Sequence, residues 1–346
     1  MIKVAMFDSK PYDQYWFDLK NNNKYKIVYH ECKLTSETAQ LARGCEAVCA
    51  FVNDTIDKEA IDIMCELGVK VLAMRCAGFS NIDIKYAYEK IYIVRVPAYS
   101  PYAVAEAAIA MLQTLNRKLH RAYIRTRDFN FSLVGLTGID LHGKTMGVIG
   151  TGKIGRVLID ICRGYGMKII AYDLFPAKDA DFEYVELDTL FKESDVISLH
   201  CPLTDKTYHI IDEEAISKMK SSVYIVNTSR GALIDSVALL DALNDEKIRG
   251  AALDVYEEEG DLFFEDFSGT IVKDEVLSLL ISRPNVLITS HQAYLTEEAL
   301  GNIAETTINN LDNFFAGGYL ENEICYYCDK GKVKEGCRRN RKERCF

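Results

Sequence analysis

The chain lacks an excess of positive charge. Lys and Arg total 41 against 51 Asp and Glu, a formal net of −10. That balance argues against a nucleic-acid partner gripped by a basic surface. It also lacks a membrane-length apolar run. The longest, "AVAEAAIAMLQTL" at residues 103–115, carries Glu106 and falls short of the roughly 20 residues a spanning helix needs. No secretory leader is evident, since "MIKVAMFDSK" opens directly into strand-like residues. An even-numbered disulfide framework is missing too. There are 11 cysteines, and seven of them lie scattered through apolar segments, where cysteine serves as a small hydrophobe in a reducing compartment. A cytoplasmic protein is expected. Internal repeats and low-complexity linkers are absent as well.

What is present is alternation. At 346 residues the chain is long enough for two domains with real cores. Over its first hundred residues short apolar runs ("IKVAMF", "YKIVY", "EAVCAFV", "VKVLAM", "YIVRV") alternate with segments of helical spacing such as "SETAQLARG" and "KEAIDIMCELG". Strand, helix and strand in succession predict βαβ units and a parallel sheet. Residues 100–128, "SPYAVAEAAIAMLQTLNRKLHRAYIRTRD", then read as one long helix. Pro101 suits its first turn, Glu106 comes early and Lys/Arg come late, as the macrodipole favours. The alternation resumes in "KTMGVIG", "MKIIAYD", "DVISLH", "SVYIVN", "RGAALDV" and "NVLITS". A second long helix, "EEALGNIAETTINNLDNFFAGG", follows.

Within the second series "GVIGTGKIGRVL" holds Gly150, Gly152 and Gly155 in G-x-G-x-x-G spacing between a strand and a helix. The motif alone is weak; this context strengthens it. The first glycine permits the tight turn, the second lets a pyrophosphate approach the backbone, and the third lets helix and strand pack closely. The next strand ends at Asp173, about 20 residues on, where an acid holds the ribose 2′-hydroxyl of NAD and repels the 2′-phosphate of NADP. A dinucleotide turn commonly opens a chain, yet here it sits near the middle. We therefore expect an α/β protein of two Rossmann-like or flavodoxin-like parallel-sheet domains, with the NAD-binding domain (101–296) inserted into a discontinuous substrate domain (1–100 and 297–327). Residues 329–346 hold eight Lys/Arg against three Asp/Glu. Cys325 and Cys328 resemble half a zinc knuckle, but the later cysteines fit no zinc spacing. A basic, cysteine-containing, disordered tail is expected over 328–346, and no metal site.

Three later strands end near groups able to do chemistry: Arg230 in "NTSRGALID", Glu259 in "DVYEEE" and His291 in "ITSHQAYL". Parallel strands deliver such groups to one edge. Reduction of a 2-oxo acid by NADH needs this set. A guanidinium binds the carboxylate and polarises the ketone, and an imidazole of reference pKa about 6.5 protonates the alkoxide. A carboxylate on the other ring nitrogen raises the imidazole pKa and fixes its tautomer. Each residue also has a plain structural reading: Arg230 as a surface ion pair, Glu259 as one acid of a run, His291 as a strand cap. Spacing does not separate Glu257, Glu258 and Glu259.

Over residues 1 to about 325 the sequence resembles the D-specific 2-hydroxyacid dehydrogenases, and among them the fermentative D-lactate dehydrogenases of bacteria. The stretches that carry the likeness are "MRCAGFSNID", "VRVPAYSP", "GKTMGVIGTGKIG", "NTSRGALID", "LDVYEEE", "DLFFED" and "SHQAYLT". The resemblance implies a catalytic Arg230, Glu259 and His291, which picks one of the three glutamates. It implies that backbone amides of Ala77 and Gly78 bind the substrate carboxylate, with Arg75 and Tyr99 lining the pocket and Tyr294 near the substrate methyl. It places Lys153 and Ile154 against the pyrophosphate, Cys201, Pro202 and Thr207 on the adenosine side, and Thr228, Ser229 and Asp254 near the nicotinamide. The implied reaction is reversible reduction of pyruvate to (R)-lactate by NADH. Implied too is a homodimer or homotetramer, with the long second helix and nearby loops in the contact. A larger 2-oxo acid, such as the precursor of 2-hydroxyisocaproate or 2-hydroxyglutarate, is the alternative substrate. An NADH-sensing corepressor is the alternative of another class. Gln292 and the tail depart from many relatives.

Overall fold

A computed structural model describes residues 1–327 together with 343 and 344. The apolar runs of the first hundred residues become β1 (Lys3–Met6), β2 (Lys26–Tyr29), β3 (Ala47–Ala50), β4 (Val71–Met74) and β5 (Tyr92–Val94). The second series becomes β6 (Thr145–Ile149), β7 (Lys168–Tyr172), β8 (Glu183–Tyr184), β9 (Val196–Leu199), β10 (Tyr224–Asn227), β11 (Gly250–Leu253) and β12 (Val286–Ile288). After the last helix comes β13 (Glu323–Ile324). By contacts the chain divides into two compact units, Met1–Ser100 with the segment from Thr296, and Pro101–Leu295.

The first unit holds a six-stranded sheet in the order β13-β5-β4-β3-β1-β2. β1 to β5 pair in parallel and β13 pairs antiparallel with β5. β3 and β4 are buried at every residue, as expected where helices cover both faces and strands read as unbroken apolar runs. The Glu297–Phe315 helix supplies Ala304, Ile308, Leu311 and Phe314 to this core.

The second unit holds a seven-stranded sheet in the order β12-β11-β10-β9-β6-β7-β8, parallel throughout. Its order reverses between β6 and β9, which opens a crevice at their carboxyl ends, where such sheets take ligands. One core fills each face of this sheet, and strands β9, β10 and β11 contribute to both.

Two local expectations changed. The single long helix is two, Pro101–Arg117 and Leu119–Arg127, parted at Lys118 in the left-handed region (φ 52°). The apolar stripe ends at Leu115, and none of residues 119–127 is buried, so no packing holds the second piece in line. "SETAQLARG" forms only the 3-10 turn Ala39–Ala42. There the Thr38 hydroxyl donates to the Lys33 carbonyl and accepts from the Thr35 N–H, a local alternative to the helical ladder. The two-residue strands β8 and β13 are too short to show alternation and were not read. The expected disorder of the tail concerns residues that, apart from 343 and 344, lie outside the described ones. Arg344 donates to the carbonyls of Phe314 and Gly318, beside the C-terminus of the last helix.

Candidate active site

Six parallel strands of the second unit bring the residues singled out above to one edge. Gly150 follows β6, Asp173 follows β7, Cys201 and Pro202 follow β9, Thr228 to Arg230 follow β10, Asp254 to Glu259 follow β11, and His291 follows β12.

The glycine turn has room of the right kind. Gly150 sits at φ 97°, and a Cβ there would lie 2.6 Å from the backbone of His200 and Cys201. A Cβ on Gly155 would lie 2.1 Å from the Gly150 carbonyl oxygen, so this glycine is the price of close helix–strand contact. A Cβ on Gly152 would meet nothing within 4 Å. Gly152 caps the Lys153–Gly164 helix without a side-chain cap. Its first N–H groups therefore face an open cradle, as a pyrophosphate requires. At the end of β10 the Thr228 hydroxyl is buried with no hydrogen-bond partner among the described residues. These features fit NAD along the crevice.

Other residues expected near the cofactor do structural work on their own segments. The Thr207 hydroxyl donates to the Pro202 carbonyl and accepts from the Thr204 N–H, closing the 202–207 turn. The Ser229 hydroxyl donates to the Cys201 carbonyl, tying the ends of β10 and β9. Burial pushes the Cys201 thiol up to about 11.

His291 and Glu259 meet directly. His291 Nδ1 lies 2.8 Å from Glu259 Oε1, with side chains 18 % and 20 % exposed. An ionised carboxylate only accepts, so Nδ1 carries the proton of this bond and Nε2 is the nitrogen left for exchange. Glu259 Oε2 accepts from the Tyr256 N–H at 3.0 Å, which orients the carboxylate from its other oxygen. Glu257, one of its rivals in the run, is drawn to His209 Nε2 at 2.6 Å.

Asp254 builds the histidine loop. It is fully buried. Its carboxylate accepts from the Thr289 hydroxyl, the Gln292 N–H and the Ala293 N–H, and its carbonyl accepts from the His291 N–H at 2.7 Å. These bonds hold His291 in the left-handed region at φ 54°. Burial raises the Asp254 carboxyl, opposed by the Thr289, Ala293 and Gln292 donors. The Phe264 ring lies 6.0 Å from that of His291, and Tyr294 is buried.

Arg230 is half-buried and donates from Nη1 to the Ser229 carbonyl at 2.6 Å; Nε and Nη2 have no protein partner among the described residues. Asn227 shapes its turn, donating to the Arg230 carbonyl and accepting from the Ser229 N–H. The next residue brings two strand ends together. A Cβ on Gly231 would lie 2.0 Å from the Tyr256 carbonyl group, so only glycine lets the arginine turn pass the acid-bearing segment. Asn227, Gly231 and the Tyr256 amide were missed from the sequence. The glycine directly after the arginine in "SRG" was the available signal.

In the first unit the amides of Ala77 and Gly78 have no hydrogen-bond acceptor among the described residues, while their carbonyls accept from Arg95 and the Cys76 thiol. The Tyr99 carbonyl accepts from Asn302. Arg75 differs from the expected pocket-lining residue. It is 2 % exposed, donates to the Asp8 carbonyl, faces Asp13 at 3.5 Å and stacks on Phe51.

A doubly wound sheet with a glycine cradle at its switch point and an arginine, a carboxylate–imidazole pair and a buried orienting acid along one edge defines an NAD-dependent oxidoreductase. Residues 109–293 match the family model described as D-isomer specific 2-hydroxyacid dehydrogenase, NAD binding domain. A D-lactate dehydrogenase of Escherichia coli (strain K12) is 51 % identical over 328 residues, covering 93 % of this chain and 100 % of the relative. The apo structure of D-lactate dehydrogenase from Escherichia coli superposes with a TM-score of 0.87 at 49 % identity, over 93 % of this chain and 100 % of that one. A structure described as the pyruvate reductase of Chlamydomonas reinhardtii gives 0.89 at 41 % identity, over 93 % and 98 %. The chain belongs to the D-isomer specific 2-hydroxyacid dehydrogenases.

Proposed function

We propose that the protein interconverts pyruvate and (R)-lactate, with NADH supplying the hydride that reaches C2 of the ketone. The observation that carries this reading is the 2.8 Å His291–Glu259 pair on the carboxyl edge of an NAD-binding sheet. Arg230 holds the substrate carboxylate and polarises its carbonyl with the guanidinium donors that its own turn leaves free. His291 Nε2 gives its proton to the oxygen as the alkoxide forms, and Glu259 stabilises the imidazolium before transfer. In the oxidative direction His291 takes the proton back. Ala77 and Gly78 offer their amides to the substrate carboxylate. Asp254 acts through the histidine loop, and Asp173 takes the adenosine ribose.

A separate feature supports the homo-oligomer reading. Leu119, Tyr123, Phe129, Phe131, Leu133 and Val134 are 55 to 84 % exposed within one short stretch of the second unit. A second copy of the chain is the occupant we assign to that apolar surface. Cys32, Cys45, Cys49, Cys65, Cys162 and Cys201 hold free thiols, which favours a reducing compartment.

The test is NADH oxidation with pyruvate beside a panel of bulkier 2-oxo acids, followed by chiral analysis of the product. (R)-lactate with pyruvate preferred is expected. Preference for a branched or acidic 2-oxo acid would move the assignment to another substrate of the family. No turnover with any 2-oxo acid would overturn it.

A further inference from the structure

Asp173 ends β7, and its two carboxylate oxygens are used unequally. Oδ2 accepts from the Thr151 N–H at 2.7 Å and from the Thr151 hydroxyl at 2.9 Å. Among the described residues Oδ1 accepts only from the Phe175 N–H, at 2.8 Å. The Thr151 oxygen lies 2.7 Å from the Tyr184 hydroxyl, which accepts from the Ala177 N–H at 3.2 Å.

Proton counting fixes the direction of this chain. The carboxylate only accepts, and a hydroxyl has one proton to give. Thr151 gives its proton to Asp173, so Tyr184 must donate to Thr151. The relay runs from the Ala177 N–H through Tyr184 and Thr151 to Oδ2. Thr151 is 5 % exposed, which shields these bonds from competing water. Each carboxylate oxygen offers about two acceptor positions. Oδ2 is therefore saturated, while Oδ1 keeps one position open.

We propose that Thr151 and Tyr184 are cofactor-specificity residues that position Asp173, so that Oδ1 meets the adenosine ribose while the whole carboxylate is denied a way to turn aside. A free aspartate can rotate away from a 2′-phosphate and relieve the repulsion. One pinned at Oδ2 by two donors and at Oδ1 by a third cannot. Discrimination between NAD and NADP then depends on the place of the charge as well as its sign. Thr151 lies between the first two glycines of the turn, and Tyr184 on the edge strand β8 beside β7. The phosphate cradle and the ribose acid are thus set by one hydrogen-bond chain. The inference rests on the reading of Asp173 as the ribose acid.

The test measures binding by calorimetry on the full chain without substrate, giving the ratio of NADPH to NADH Kd. Thr151→Val, which removes two bonds, should lower that ratio about tenfold, and Tyr184→Phe, which removes one link, about threefold. Thr151→Ser, which keeps the hydroxyl, should restore it. A merely structural role would lower the melting temperature and leave the ratio alone. Ratios within twofold of the parent in both Thr151→Val and Tyr184→Phe would overturn the proposal. Should Thr151→Val not fold, Tyr184→Phe decides, since it deletes one oxygen. Asp173→Asn separates the two levels. Collapse of the ratio there, with no change in the relay variants, sinks the relay alone; no change in Asp173→Asn sinks the ribose reading and the relay with it.

Discussion

At the carboxyl edge of the second sheet His291 and Glu259 stand half-open to solvent, with one nitrogen and several acceptor positions unused. At the same edge of the first sheet, Asp8 follows β1, Asp54 follows β3 and Arg75 follows β4, all at 1 to 2 % exposure. Both sheets have a switch point, between β6 and β9 in one and between β1 and β3 in the other. In the second unit that crevice is floored by glycines and stays open. In the first the arginine is folded inward, burial opposing its charge while Asp13 and the other acids around it hold it charged. Equal topology therefore leads to an edge that presents ionisable side chains, or to one that turns them inward and leaves backbone amides such as those of Ala77 and Gly78 to be offered.

The sharpest way to break this contrast is to remove one member from each edge. His291→Gln should cut turnover of pyruvate reduction by about a thousandfold, the range of a lost general acid, with folding intact. Glu259→Gln should cut it less, because the ring keeps its place while the acceptor that fixes its tautomer is weakened. Turnover equal to the parent's would separate Glu259 from proton transfer. Arg75→Met should do the reverse. It leaves Asp13 and Asp54 buried without their cation, a loss of about 3–5 kcal/mol of stability by urea unfolding, while the NADH Kd below the transition stays near that of the parent. A loss under about 1 kcal/mol would show that the first edge is not held by its charge cluster.

Much of this was legible in the sequence because strong periodicities and strand-end punctuation do not depend on distant residues. The strands β1 to β7 and β9 to β12, the glycine turn and the strand-end places of Arg230 and His291 belong to that class, whereas Glu259 came from the family resemblance, since spacing leaves Glu257 and Glu258 as its rivals. What stayed hidden depends on who the neighbour is. Whether Arg75 faces a pocket or Asp8 and Asp13 is set by β1 and the Pro11–Asn21 helix, more than 60 residues away in sequence. Asp254 reads as one more strand-end acid, and only the approach of β12 reveals that it clasps the backbone around His291. The break at Lys118 turns on missing burial, which a helical pattern of polar residues does not report.

The smallest effect sets the two units against each other through pH. Burial pushes the Asp54 carboxyl up from 3.8 to about 6, against the pull of Arg75 and the Phe51 and Leu34 amides. Between those values the folded chain keeps a proton that the unfolded chain has released, so this group's contribution to stability falls as pH rises. Burial lowers His200, at the end of β9, from 6.5 to about 4. There the unfolded chain holds the extra proton, and stability rises with pH across nearly the same window. The two opposed slopes largely cancel each other from pH 4.5 to 6 in the parent. Asp54→Asn removes one of them, so its unfolding free energy should climb with pH relative to the parent's, by on the order of 1–2 kcal/mol across the window. The misfit of an amide between two N–H donors lowers both ends alike, so the slope alone carries the test. A variant whose slope matches the parent's would mean that Asp54 stays ionised when folded, with Arg75 outweighing burial.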